Sequence, residues 1–199
     1  ILNADLRYEF FPGNGQLFSV SAFYKDFKNP IEIQALANNS NQYKNADSGT
    51  DYGIEFEFRT LLSTILGTKE TKILDDLTLY SNLAVIRSKV DISNLFVTPS
   101  AVEDTPMQGQ SPYVFNAGLQ YMNTEAGWSL SANLNRIGNR ITIHANQTLG
   151  NPTAGYWEKA RTLLDFQVAK SLFKNKLEIK MNLQNALAQD LVLYQNNDL

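Results

Sequence analysis

The segment Thr50–Thr60, TDYGIEFEFRT, alternates between apolar and polar residues with a period of two. Tyr52, Ile54, Phe56 and Phe58 fall on one side, and Asp51, Gly53, Glu55, Glu57 and Arg59 on the other. Side chains of an extended chain point to opposite faces in turn, so the segment reads as an amphipathic strand. Seven further segments repeat the pattern: Asn3–Phe10, Leu17–Lys25, Leu77–Val85, Tyr113–Tyr121, Trp128–Asn135, Leu164–Ala169 and Leu177–Gln184. The second is looser, with Leu17 and Phe23 on its polar side. No stretch of comparable length carries a convincing helical period. The fold class is therefore all-β, an antiparallel up-and-down meander of about eight strands.

The connections are of two kinds. PGNG (Pro12–Gly15), TEAG (Thr124–Gly127) and FKNK (Phe173–Lys176) are tight turns joining strands one to two, five to six and seven to eight. The links Lys28–Gly49, Lys89–Gln110 and Asn139–Tyr156 are long and rich in Asn, Ser, Thr, Gly and Pro, with apolar residues such as Ile31, Ile33, Phe96 and Ile143 among them. Leu61–Asp76 belongs to the short side yet is of middling length. In a meander every second connection lies at the same end. The sheet thus has a short-turn end and a long-loop end, an asymmetry that transmembrane barrels show and soluble ones do not need.

Composition narrows the function. Seventeen basic against twenty acidic residues give no balance that suggests nucleic acid as a partner. The chain has no cysteine, which excludes a disulfide framework and a thiolate metal site. No apolar run approaches the roughly 18–20 residues of a membrane-spanning helix. The N-terminus, ILNADLRYEFF, has no features of a leader and reads as a strand already under way, so a fragment of a longer protein is expected.

Periodicity alone leaves two solvents open for the apolar face. A soluble lipocalin-like barrel would turn it inward around an apolar ligand; an outer-membrane barrel would turn it to lipid. The polar faces are built largely from Asn, Ser, Thr, Gln and Gly rather than from dense Lys and Glu, which suits a hydrated lumen. In the first and third strands charges keep strictly to that face, as a lipid-facing alternative would require. Aromatics gather toward strand ends (Tyr8, Phe10, Tyr24, Phe58, Tyr113, Tyr121, Trp128), as in interfacial girdles. These features favour the membrane.

Six phrases in order carry a resemblance: FYKDFKNPIE (Phe23–Glu32), GIEFEFR (Gly53–Arg59), GQSPYVFNAGLQY (Gly109–Tyr121), RIGNRI (Arg136–Ile141), WEKARTLLDFQVAK (Trp157–Lys170) and NLQNALAQ (Asn182–Gln189). Together they resemble the C-terminal barrel of TonB-dependent outer-membrane receptors of the Bacteroidota type, along essentially the whole chain. The resemblance implies a 22-stranded barrel closed by an N-terminal plug, importing a glycan, peptide, siderophore or similar nutrient with energy from the TonB complex. Residues 1–199 are then one C-terminal segment without plug, TonB box or final strand, ending in what looks like the last extracellular loop. The implied partners are outer-membrane lipid, the plug domain, the TonB complex and a surface substrate-binding lipoprotein. The implied location is the outer membrane of a Gram-negative bacterium, and open sheet edges are expected to drive association.

Candidate sites are few, and no catalytic, cofactor or metal residue is assigned. Asp51, Glu55 and Glu57 could suggest acid–base chemistry, but charge balance with Arg7 and Arg59 across neighbouring strands is the expected role. His144, the single histidine, lies in a long loop near Arg140 with no serine indicated beside it, so an ordinary loop residue is expected rather than an outer-membrane hydrolase. A cluster of histidines and carboxylates for a metal cannot be built. DSGTD (Asp47–Asp51) is half a calcium loop and reads as turn chemistry before a strand. The N-x-S/T triplets at Asn38 and Asn146 read as coincidence. In GQSPY, Gly109 and Pro112 return a loop into a strand and Tyr113 anchors at the interface, so the phrase reads as structural.

Overall fold

The computed structural model describes residues 1–36, 40–67, 72–93, 105–145 and 155–196. Its elements in chain order are β1 (Leu2–Phe10), β2 (Leu17–Lys28), β3 (Ile31–Ala35), β4 (Asn41–Asn45), β5 (Ser48–Leu61), α1 (Leu62–Leu66), α2 (Lys72–Asp75), β6 (Leu77–Asp91), β7 (Tyr113–Asn123), β8 (Trp128–Ile137), β9 (Arg140–Ile143), β10 (Gly155–Glu158), β11 (Arg161–Leu172), β12 (Leu177–Leu183) and β13 (Leu193–Asn196). All eight alternating segments appear as strands of one antiparallel sheet, ordered β1-β2-β5-β6-β7-β8-β11-β12. Each long strand pairs with its neighbour in the meander. Among the described residues β1 and β12 form the two edges and do not pair with each other.

The register fixes which side chains share a face. Leu6, Ala22, Ile54 and Val85 stand in one cross-strand row, and Tyr8, Val20, Phe56, Leu83 and Phe115 in another. These rows are largely open: Leu6, Tyr8, Ile54, Phe56 and Val85 are exposed, Ile54 by 46%, and Val20, Leu83 and Phe115 are half-buried. A water-soluble sheet shows the reverse. The apolar side chains do not converge on a dry interior, so the lipocalin-like arrangement is not the one adopted. Hydrocarbon is the solvent that fits such a face, with the aromatics Phe10, Phe18, Phe58 and Trp128 toward the turn end and Tyr24, Tyr52 and Tyr113 toward the loop end.

The two ends differ as the link lengths require. At the turn end Gly127 takes a φ of 68°, and a Cβ there would lie 2.7 Å from the Ser171 carbonyl oxygen, so glycine alone fits the TEAG turn. The middling link holds the short helices α1 and α2, which the sequence pattern did not announce; α1 closes on Gly67 in the left-handed region. Lys72 of α2 reaches Glu125 of the neighbouring turn at 2.5 Å, and the pair holds the lysine above and the glutamate below its ordinary pKa.

At the loop end the long links fold into structure of their own. β3 and β4 form a hairpin, and β9, β10 and β13 a second small sheet. The sequence pattern alone assigns these five short strands to loop. β6 also runs six residues beyond the expected Val85, and β5 starts two residues before Thr50. Among the described residues the compact apolar cluster sits at this end, where Val90 of the extended β6 meets Ala46 and Ile92, with Met107 against them.

The exchange of inside and outside gives a direct test. Ile54→Arg, at mid-strand on the apolar face, should cost about 2–4 kcal/mol in a lipid-based unfolding titration of the complete barrel, while Asn82→Arg on the polar face should cost well under 1 kcal/mol. Equal costs would remove lipid from the description.

Candidate functional site

The polar face carries continuous rows of hydrogen-bonding side chains. Glu9, Ser19, Glu57, Asn82, Asn116 and Asn135 lie in register across six strands. Arg7 bridges the first of these, donating from Nε to Glu9 at 2.6 Å and from Nη2 to Glu57 at 2.7 Å. Asn135 donates to Asn116 at 2.6 Å, and Gln167 to Asn182 at 2.8 Å. A cavity of about 310 Å³ opens on this face among Glu57, Arg59, Tyr80, Asn82, Asn116 and Gln120. Neutral amides and a few paired charges make a surface that stays wet without fixing one sign of ion.

One residue on this face is set by close approach. Tyr80 lies across Gly118 and its hydroxyl bonds Asn133 two strands away. A Cβ on residue 118 would fall 2.2 Å from the tyrosine ring. The same device recurs at Gly53, which lies under the ring of Phe23. This accounts for an aromatic on the polar side of the looser second strand: Phe23 covers a glycine instead of facing water.

The sequence-derived site residues separate. Glu57 takes its charge balance from Arg7 as expected, and Glu55 accepts from the Ser21 hydroxyl at 3.3 Å. Asp51 lies apart from them, buried beneath the loop cap in register with Lys25 and Ser88. DSGTD is mostly strand, since β5 already begins at Ser48. Among the described residues no group of three His, Asp or Glu could hold a metal ion. Asn38, Asn146 and Phe96 lie outside the described residues.

His144 is not the ordinary loop residue that its position suggested. It is 1% exposed, and its Nε2 lies 2.8 Å from Oε2 of Glu32, also 1% exposed. The same carboxylate oxygen accepts from the backbone N–H of Gln108 at 2.9 Å. Gln108 then accepts from the Ile33 N–H at 3.1 Å and donates to the Thr142 carbonyl at 2.5 Å. Three segments from all three long links are thereby tied at one buried point. The backbone repeats the tie, because Ala35 donates to His144 and His144 to Ile33. At the other end of β9 Glu158, also buried, receives two bonds from Arg140 at 2.9 and 2.6 Å. No sequence spacing could have paired residues 32 and 144; only the meander brings their links to one end.

Two variants probe these arrangements. Gly118→Ala should destabilise by about 1–3 kcal/mol through overpacking, and Tyr80→Ala in the same chain should recover most of that loss in a double-mutant cycle. His144→Ala, which removes one of two hydrogen bonds to a buried carboxylate oxygen, should cost about 1–3 kcal/mol locally. Its readout is faster hydrogen exchange at residues 31–35 and 140–144, with the main sheet unchanged; uniform loss of protection would contradict a tie confined to the cap.

The family described as TonB dependent receptor-like, beta-barrel matches residues 2–186. No curated protein sequence matches the chain. Solved structures do. A point variant of the ferric enterobactin receptor PfeA of Pseudomonas aeruginosa is similar over 94% of this chain and 25% of its own, at 17% identity and a TM-score of 0.63. The ferric-catecholate import receptor Fiu of E. coli K12 is similar over 96% and 24%, at 15% identity and 0.58. The FrpB iron transporter of Neisseria meningitidis is similar over 98% and 28%, at 10% identity and 0.60. The chain thus spans about a quarter of the solved chains it matches, and at these identities the likeness is one of fold. With a family match along nearly its whole length and a sheet whose greasy side is bare, the chain belongs to the TonB-dependent receptor β-barrel family and is a piece of an outer-membrane barrel.

Proposed function

We propose that this chain is the C-terminal part of the wall of an outer-membrane receptor that imports a scarce or bulky nutrient under the drive of the TonB complex. The observation that carries the reading is the polar face: rows of amides and paired charges on the side of the sheet away from lipid, without a dry core behind them. Such a surface suits contact with a hydrated bore and with a polar plug domain. The long-loop end, folded into a cap, would face the outside and take part in recognising cargo or a surface lipoprotein. The plug and the TonB-contacting segment belong to other parts of the protein.

The cargo is the finer question. The three solved neighbours are described as iron or ferric-siderophore receptors, which supports a ferric chelate as the first class to try, ahead of glycans and peptides. The Bacteroidota character rests on the six sequence phrases alone. No chemistry is asked of the chain itself: Glu57 is held by Arg7, and His144 is buried against Glu32.

Uptake by cells carrying the complete receptor decides the matter. Radiolabelled ferric siderophore, oligosaccharide or oligopeptide should accumulate only when both the receptor and a working TonB complex are present. Accumulation that persists without TonB, or no difference for any of the three classes on deleting the receptor, would refute the reading.

A further inference from the structure

Among the described residues, the link between β5 and β6 is the turn-side connection that folds into helices, and its polarity is the reverse of a helix in water. In α1 the apolar Leu62, Ile65 and Leu66 share one side, at spacings of three and four. Ile65 is 51% and Leu66 55% exposed, while Ser63 on the adjoining side is buried. Ile73 of α2 is exposed as well. A helix bordered by water would bury the leucine side and show the serine. The inversion is the one that the wall itself displays. We propose that α1 and α2 lie on the periplasmic leaflet of the outer membrane and seat Ile65, Leu66 and Ile73 among its phospholipids.

The side of the sheet on which α1 sits carries the argument. Thr60 belongs to the lipid-side row that includes Leu79 and Leu119, yet it is buried although Leu119 is exposed. Gln16 precedes Phe18 by two residues and so shares its side of the strand line, which is the outer one. Its Nε2 donates to the Thr64 hydroxyl at 3.0 Å. Helix α1 is therefore folded back over the outer side of the strand ends, and its exposed apolar residues continue the lipid-facing surface downward. A plug or an inner-membrane partner would approach through the opening of the bore, on the other side of the sheet.

Depth agrees with side. Phe58, in register with Phe18 among the aromatics near the turn end, lies four residues before Leu62. At about 3.3 Å per residue and a tilt of about 45°, that is roughly 9 Å along the membrane normal. Interfacial helices bury their apolar side about 5–10 Å deep, where headgroups meet acyl chains. The insertion begins at that level.

The helices are also held in place on both flanks. On one flank stands the Gln16–Thr64 bond. On the other, Lys72 pairs with Glu125 at 2.5 Å, the Asn123 amide donates to Asp76 at 2.7 Å, and the Met122 N–H donates to the Asp76 carbonyl at 2.9 Å. A helix of five residues does not persist in water by itself. Here polar bonds to two neighbouring turns fix it, and they leave its apolar side free for lipid.

The inference rests on the proposed orientation, with the short turns toward the periplasm. Its test uses the complete receptor in nanodiscs of phosphatidylethanolamine and phosphatidylglycerol, with the variants Ile65→Cys, Ile73→Cys, Phe58→Cys and Lys174→Cys each carrying a bimane fluorophore. A phospholipid spin-labelled near the top of its acyl chain should quench Ile65→Cys and Ile73→Cys within about twofold of Phe58→Cys, and aqueous iodide should quench them roughly fivefold less than Lys174→Cys in an exposed turn. Adding Ile65→Glu and Leu66→Glu should cut the lipid quenching at Ile73→Cys several-fold and spare Phe58→Cys. Iodide access equal to that of Lys174→Cys would overturn the proposal. So would shielding from both quenchers, which would mean a protein surface over the helices. Should a variant lose the heat-modifiable mobility of a folded barrel, the unsubstituted receptor is cross-linked to a diazirine-bearing phospholipid. Adducts on residues 62–66 and 72–75 are then expected, and adducts confined to the strands would sink the idea. Phe58→Cys tells the two failures apart: without lipid quenching there the membrane reading itself fails, and with quenching there alone only the anchor does.

Discussion

A peptide N–H in hydrocarbon finds no water, and leaving it unpaired costs several kcal/mol. The architecture of this chain follows from that one constraint. Every strand of the wall is paired along its length, with all fourteen residues of β5 in unbroken register against β6. None of the strands contains proline, which would interrupt the ladder; Pro12, Pro30, Pro106 and Pro112 all lie in connections. Bulky residues that would disturb the sheet are accommodated sideways, as Tyr80 is over Gly118 and Phe23 over Gly53. An edge strand inside a membrane must meet another strand. β1 and β12 are accordingly the places where the rest of a barrel has to join.

The same constraint explains why the molecule has two kinds of interior. Along the wall, lipid takes the place of a core, and large apolar side chains stand exposed. Beyond the lipid, water returns and the usual rule returns with it. There the chain buries Ala46, Val90 and Ile92, pairs its buried carboxylates Glu32 and Glu158, and covers Asp51. A buried ion pair gains little over an apolar filling but fixes geometry. In a cap made of connections from distant parts of the sequence, fixed geometry is what apolar packing of small residues such as Ala46 cannot supply.

The wall was legible in the sequence because its rule is local. Period two survives in each strand, and each strand can be read without its neighbours. The alternation on β5 and the tight turns at Gly127 and Lys176 predicted the eight-stranded order directly. The cap was not legible, because its strands are four or five residues long and its contacts span more than a hundred positions. His144 shows the difference. Beside Arg140 in a loop it carried no sign of burial, and its partner Glu32 sat in an apolar-polar stretch too short to separate from turn. The extension of β6 to Asp91 is illegible in the sequence for a related reason. Ile86 and Val90 lie on its polar-face parity, because there the face packs on the cap and no longer borders the bore.

How the cap can respond to anything that touches it is set by the same contacts. The Asp47 N–H donates to the Asp91 carbonyl, and that of Val90 to Thr105, so the first and second long links are fastened to the top of the wall. Gln108 and Glu32 then fasten both to the third through Thr142 and His144. Moving any one link alone would take a partner from a carboxylate or histidine that stays buried, at a cost of several kcal/mol. Rigid motion of the whole cap would preserve those bonds but strain the strand tops that carry it. The least costly response leaves the cap in place and moves only its exposed side chains, such as Ile31 and Tyr43 on the outer hairpin. Over its described residues, a rim built in this way presents a preformed surface.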